Sequence, residues 1–218
     1  MKRKVAVIHT TPVTIPVIKE LTEKYCEHVE IVNLLDDSML PEINQAGKIT
    51  EGVKYRLNTL LLLAQTMKAD CVFCACSSIG GILEEGGGLL TIPVLRIDEP
   101  MAEQAAQYTR IGVAATLHST LGPTTELIER KARQMGKEIQ IHTEVIEGAG
   151  ALLSCGKGEE YDRIVGERLR MLGEKNEIVL LAQASMARAV AGLGREEKSR
   201  FLTSPESGVK ALGEILHS

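Results

Sequence analysis

Short apolar runs alternate with longer stretches of helical period from one end of the chain to the other. Strand-like runs fall at 5–8, 29–32, 71–75, 92–95, 110–115, 138–142 and 178–182. The runs VAVI, IGVAA and EIVLLA are nearly continuous in apolar residues, as strands covered on both faces of a parallel sheet should be. Helix-length segments lie between them, for example 51–68, 124–136, 161–173 and 208–216. This alternation predicts an α/β fold with a mainly parallel, doubly wound sheet flanked by helices. The connection 33–50 (NLLDDSMLPEINQAGKIT) shows no clean period and reads as a lid or a long surface connection.

The pattern also repeats. D-C-V-F-C-A-C-S-S (70–78) aligns with E-I-V-L-L-A-Q-A-S (177–185) at an offset of 107, which sets Gln183 in the place of Cys76. V-A-V-I-H-T (5–10) aligns with I-G-V-A-A-T (111–116) at an offset of 106. Two strand-to-loop junctions recurring at nearly one spacing predict two pseudo-symmetric α/β lobes, 1–100 and 101–218, with a helix at 205–217 returning to the first. The strand C-termini would line an interlobe cleft, the side on which open α/β sheets bind ligands.

Composition narrows the partners. Hydrophobic residues at 44% and charged residues at 25% exclude wholesale disorder. Six aromatics (Phe 2, Tyr 4, Trp 0) and a net charge of −4 argue against a base-stacking or phosphate-tracking surface, so no nucleic-acid partner is expected. The basic opening Met1-Lys2-Arg3-Lys4 is followed by an apolar stretch that ends at His9, too short for a signal-peptide core. The longest apolar run elsewhere, 60–64, is far short of the roughly 20 residues a bilayer requires, so no membrane association is expected. Five cysteines, an odd number, read as reduced thiols in a cytoplasmic protein.

Four junctions could carry chemistry. In Cys74-Ala75-Cys76-Ser77-Ser78 a strand gives way to a helix, with Ser77 or Ser78 as the expected N-cap. A thiol there meets unpaired N–H groups and the helix dipole, which can lower its pKa from about 8.5 toward neutrality. Cys71 and Cys74 read as fillers of a buried strand. Cys74 and Cys76 would share one face of that strand and Cys71 the other, poor geometry for one metal ion, so no metal is expected. The second junction is Ala182-Gln183-Ala184-Ser185. The others, His9-Thr10-Thr11-Pro12 and Thr116-Leu117-His118-Ser119-Thr120, place hydroxyls where helix-start N–H groups can cradle a carboxylate or phosphate. His9 and His118 could titrate near neutral pH. No Walker loop, complete dinucleotide fingerprint or G-x-S-x-G elbow occurs.

Taken together, Ala75-Cys76-Ser77-Ser78, Gly112-Val113-Ala114-Ala115-Thr116-Leu117-His118-Ser119 and the closing Thr203-Ser204-Pro205-Glu206-Ser207-Gly208-Val209 resemble the aspartate/glutamate/hydantoin racemase superfamily across nearly the whole chain. The resemblance implies a cofactor-independent isomerase, without pyridoxal or metal, acting on an amino acid or related small carboxylate, and a homodimer. It implies Cys76 as the proton-transferring thiol, with Thr10, Thr11, Ser77, Ser78, Thr116 and Ser119 as donors around the substrate. The family's second thiol, in Gly-Cys-Thr, is replaced here by Ala182-Gln183-Ala184, and the Asn after the first by Ser77. Glutamine cannot act as a proton-transfer base. Three readings follow: His9 or His118 replaces the missing thiol; Cys76 works alone, as in a one-thiol lyase, decarboxylase or cis–trans isomerase; or the protein only binds a small acid, with Gln183 as a ligand contact.

Overall fold

The computed structural model describes residues 2–217, the side chain of Ser154 excepted. Eight strands form two four-stranded, wholly parallel sheets. The first contains β1 (Arg3–His9), β2 (Val29–Leu35), β3 (Cys71–Cys74) and β4 (Val94–Arg96), in the order β2-β1-β3-β4. The second contains β5 (Arg110–Ala115), β6 (Gln140–Val145), β7 (Ile178–Leu181) and β8 (Phe201–Thr203), in the order β6-β5-β7-β8. The doubly wound α/β architecture expected from the alternation is therefore present twice. One compact unit comprises Met1–Glu99 with Pro205–Ser218, and the other Pro100–Ser204.

Strand alternation sorts the first unit's core. Val5, Val7, Cys71 and Phe73 face one side and pack with Ile18 of α1 (Thr14–Tyr25) and with Val209 and Leu212 of α10 (Ser204–His217). Ala6, Ile8, Val72 and Cys74 face the other, under α2 (Met39–Ala46), α3 (Glu51–Thr66) and α4 (Gly80–Gly87). In α3, Val53, Leu57, Leu61 and Ala64 recur at helical spacing and are buried, while Thr50 caps the first turn by accepting from Val53 N at 3.1 Å.

The second unit repeats this logic. Ile111, Val113, Ile178 and Leu180 pack with α5 (Glu99–Ala105) and α6 (His118–Gln134). Ala114, Val179, Leu181 and Phe201 pack under α8 (Gly158–Lys175), which buries Tyr161, Val165 and Leu169. The short α7 (Ala149–Ser154) and α9 (Arg195–Lys198) complete the helices.

Matching backbone bonds recur at the offsets seen in the sequence. Ala75 N donates to Ile8 O and Ala182 N to Ala114 O, while Asp70 N donates to Lys4 O and Glu177 N to Arg110 O. Even the carboxylates return: Asp70 accepts from Lys4 N at 2.7 Å and Glu177 from Arg110 N at 2.7 Å.

Several local expectations are corrected. Residues 33–50 are not an irregular connection: β2 runs on to Leu35, and α2 fills much of the rest. Arg56 of α3 fastens that helix, with Nε 2.9 Å from Asp36 Oδ2 and Nη2 2.7 Å from Glu42 Oε2. Ion pairs reaching 14 and 20 residues along the chain leave no periodic trace in the segment they hold. The loop expected at 116–120 is mostly helix, since α6 begins at His118 and continues through Pro123. The three-residue strand β8 lacks the length that makes an apolar run conspicuous.

Gly208 shows how closely α10 approaches Ile97, the residue that follows β4. A Cβ there would stand 2.5 Å from Ile97 O and 2.9 Å from Ile97 Cα, both backbone atoms that cannot swing away. Gly208→Ala should therefore cost about 1–3 kcal/mol, despite the better helix propensity of alanine. Urea denaturation checks this, and a neutral or stabilising result would mean the contact relaxes freely.

Candidate active site

Register places the candidate residues. β1 pairs with β3 at Ile8↔Cys74, and two residues beyond that pair the chain reaches Thr10 and Cys76. β5 pairs with β7 at Ala114↔Leu181, and two residues beyond come Thr116 and Gln183. Each pair lies where the connections leave for opposite faces of its sheet, the place where an open parallel sheet offers a crevice.

In the first unit Cys76 is extended (φ −140°, ψ 114°) and caps the 3₁₀ turn Ser77–Ile79 that leads into α4. Ser77 and Ser78 lie inside this turn rather than capping a helix, and both are buried. Cys76 is half-buried, whereas Cys26, Cys71 and Cys74 are buried and Cys155 is exposed. Cys74 lies within the α3-side core and Cys76 packs against it, while Cys71 belongs to the opposite core.

The polar surroundings of Cys76 favour its thiolate, but they do not win. Loss of solvation pushes the thiol up from its ordinary value. The Thr10 hydroxyl, the N–H groups of Ser78 and Ile79, and the Ser78 hydroxyl each work against that rise. The expectation that the turn would bring the thiol toward neutrality is thus corrected: at rest Cys76 is protonated. A three-residue turn supplies few aligned dipoles, and removal from water costs the anion more than they return. Thr10 Oγ1 is itself buried and makes no geometrically complete hydrogen bond; its influence is directed at the sulfur. Burial raises Cys71 to about 12, and Cys74 further still.

In the second unit Gln183 occupies the corresponding backbone position (φ −129°, ψ 136°) ahead of the 3₁₀ segment Ala184–Val190. Its Oε1 accepts from Thr116 N at 2.5 Å and from Thr116 Oγ1 at 2.8 Å. Because a backbone N–H can only donate, the oxygen must face Thr116, which leaves the Nε2 donors turned away from it. Tyr161 is fully buried, its hydroxyl without a geometrically complete partner but close to Ser185 and Thr116.

The histidines stand apart. His9 is wholly enclosed, with Nδ1 2.7 Å from Thr14 Oγ1 and Nε2 2.9 Å from Asn33 Oδ1. Both ring nitrogens are committed within the fold, and burial pushes the ring's pKa down against the opposing pull of Asn33. His118 lies on the surface, 2.7 Å from Glu147. Of the remaining sequence candidates, Thr11 is half-buried near the start of α1. The Ser119 hydroxyl is buried in the first turn of α6 without a hydrogen-bond partner.

The sequence reading missed Tyr161, Arg96 and Asp98. Tyr161 is one apolar-face residue of an amphipathic helix, so nothing marked its hydroxyl. Arg96 had a signal, a charge set inside the run V-L-R-I-D, where a two-face-buried strand should carry none.

The family model for Asp/Glu/hydantoin racemase matches residues 5–212. The chain belongs to that family. A racemase-type isomerase is the class of enzyme this membership supports. Among solved structures, aspartate racemase from Picrophilus torridus is 15% identical, with 100% of this chain and 95% of that chain covered, at a TM-score of 0.75. A putative Asp/Glu racemase from Yersinia pestis is 13% identical over 100% of both chains (TM-score 0.74). Allantoin racemase from Klebsiella pneumoniae is 19% identical, with 99% and 88% covered (TM-score 0.68). At these identities the likeness is one of fold. A comparison with curated proteins returns no match. No helix among the described residues is long and apolar enough to cross a membrane.

Two measurements follow. Iodoacetamide should label exposed Cys155 first, then Cys76, with Cys26, Cys71 and Cys74 last; the Cys76 rate should still be climbing with pH above neutrality. A Cys76 rate already level at neutral pH would contradict the raised thiol. For His9, the unfolded chain gains a proton below its ordinary value of about 6.5 while the folded chain resists it. The stability it contributes is therefore complete above that pH and declines as pH falls, by at most about 1.4 kcal/mol per pH unit. The stability gap between the parent and His9→Gln should narrow from neutral to mildly acidic pH, and a constant gap would reject the assignment.

Proposed function

We propose that the chain is a cofactor-independent isomerase acting on an amino acid or a related small carboxylate, with Cys76 as its proton-transferring thiol. The observation that carries this reading is the half-buried Cys76, its sulfur beside the Thr10 hydroxyl and the Ser78 and Ile79 N–H groups, at the sheet's switch point.

Proton transfer at the carbon next to a carboxylate is limited by the very weak acidity of that carbon. Fixed donors must stabilise the enediolate as charge moves onto its oxygens. Hydroxyls and backbone N–H groups at strand ends suit this role because they need no reorganisation when charge arrives. In this mechanism Cys76 first gives its proton to solvent, and the thiolate is held by its neighbours. The thiolate then takes the proton from the acidic carbon, an S–H bond forming as the C–H bond breaks and its electron pair passes to the enediolate. The same S–H returns a proton to that carbon. Desolvation, which makes the thiolate costly at rest, also makes it a stronger base once formed.

A second reading is favoured by Gln183. Its amide neither gives nor takes a proton at ordinary pH, and its oxygen is held by Thr116. A single thiol then serves one face of the carbon. This would make the enzyme a one-thiol lyase, decarboxylase or cis–trans isomerase of a small dicarboxylate.

Incubation with amino acids, hydantoins and dicarboxylates in D₂O, followed by mass spectrometry and polarimetry, separates these readings. Deuterium should enter at the acidic carbon, and Cys76→Ser should lower the rate by at least about 100-fold, on the scale of a lost acid–base group. Cys71→Ser and Cys74→Ser, where folded, should retain the activity. Exchange with loss of optical rotation supports the isomerase. Exchange with rotation retained, or release of carbon dioxide, supports the one-thiol reading. Ligand-induced thermal stabilisation without exchange would leave only a small-acid-binding protein.

A further inference from the structure

The turn that carries Cys76 rests on a buried ion pair. Arg96 ends β4, and its Nε and Nη2 donate to Asp98 Oδ1 and Oδ2 at 2.9 and 2.8 Å. The two residues are 5% and 1% exposed. The third guanidinium nitrogen, Nη1, lies 3.5 Å from Glu84 Oε2 on α4. Asp98 takes two of the guanidinium's five N–H groups and Glu84 faces its third nitrogen, so its charge is met within the fold.

Two routes connect this fork to Cys76. Following the sulfur, Gly80 lies flat against the guanidinium, and a Cβ there would overlap Arg96 itself. Preceding it, Cys74 pairs in register with Arg96, its carbonyl accepts from Ile97 N at 3.0 Å, and its Sγ donates to Cys76 O at 3.4 Å. The chain on either side of Cys76 is thus referenced to one planar group.

Burying an arginine and an aspartate costs solvation that their attraction seldom recovers in full, and apolar residues would often stabilise as well or better. What a two-bonded fork adds is direction, because both planes are fixed at once. We propose that the Arg96–Asp98 fork is a positioning element that holds residues 77–80 so that the N–H groups of Ser78 and Ile79 and the Ser78 hydroxyl bear on the Cys76 sulfur. The proposal rests on the reading of Cys76 as the reactive thiol, but its test needs no substrate.

The test follows iodoacetamide labelling of Cys76 in the intact protein by mass spectrometry, over a pH series from about 7 to about 10. The double substitution Arg96→Met with Asp98→Leu removes both charges together, avoiding an unpaired buried ion. It should melt cooperatively, yet its labelling curve should move to higher pH, with a rate about three- to tenfold lower at a fixed pH below the midpoint. If the double variant does not fold, Gly80→Ala and Arg96→Lys carry the test. Both retain the charges and disturb only the seating of the fork, and both should shift the curve in the same direction. A curve coincident with the parent's in any of these variants that folds would overturn the proposal, even with a lowered melting temperature. Failure to find proton exchange would bear on Cys76 chemistry alone and would leave this labelling result intact.

Discussion

The pairing of β1 with β3 is the constraint on which the candidate site depends. Parallel strands hydrogen-bond in fixed steps, so Ile8 opposite Cys74 dictates which residues emerge together at the strand ends. One step of slippage would exchange the faces of every side chain on β3, sending Cys74 to the core that Cys71 now fills. The alternation that buries Val5, Val7, Cys71 and Phe73 on one side thereby also determines that Cys76 leaves the sheet beside Thr10. Core packing and site placement are one requirement here. The second unit obeys the same rule, with Ala114 opposite Leu181.

What this arrangement does to the thiol is a contest between burial and nearby donors. Burial raises Cys71, Cys74 and Cys76 alike, but of the three only Cys76 has hydroxyls, those of Thr10 and Ser78, working against it together with two backbone N–H groups. Position relative to the strand end therefore distinguishes a core sulfur from one set among polar donors more sharply than burial does. Cys74 lies two residues earlier on the same face, and its thiol is spent on the Cys76 carbonyl.

Most of the fold was legible because its signals are local. A strand buried on both faces is an apolar run, and a helix covering it has a stripe of period 3.6. The repeat was legible for a related reason: Val72 with Val179, Ala75 with Ala182 and Ser78 with Ser185 fill equivalent positions and met similar packing demands. The site was legible as far as its strand ends, because hydroxyls after an apolar run stand out. What escaped was set by distant partners. His9 reads as a titratable loop histidine until Thr14 and Asn33 enclose it. The order of residues 33–50 depends on Arg56, which lies beyond them in α3. The direction of the Cys76 shift was misjudged because helix-start N–H groups can be inferred from a motif, whereas the extent of desolvation depends on how the remaining chain closes around it.

The difference between the two units is informative because so much else is shared. Thr10 and Thr116 follow equivalent strands, and Cys76 and Gln183 adopt similar backbone angles at equivalent turns. A thiolate sulfur and an amide oxygen are both hydrogen-bond acceptors, so each can use the donors this threonine position provides. Gln183 takes both the N–H and the hydroxyl of Thr116, leaving that threonine satisfied, whereas Thr10 keeps a buried hydroxyl without a complete bond. Replacing a titrating acceptor with a permanent one retains the local framework and removes the titrating group. The pattern is that of a repeat in which one copy holds its donors permanently occupied and the other leaves them facing a sulfur whose charge can change.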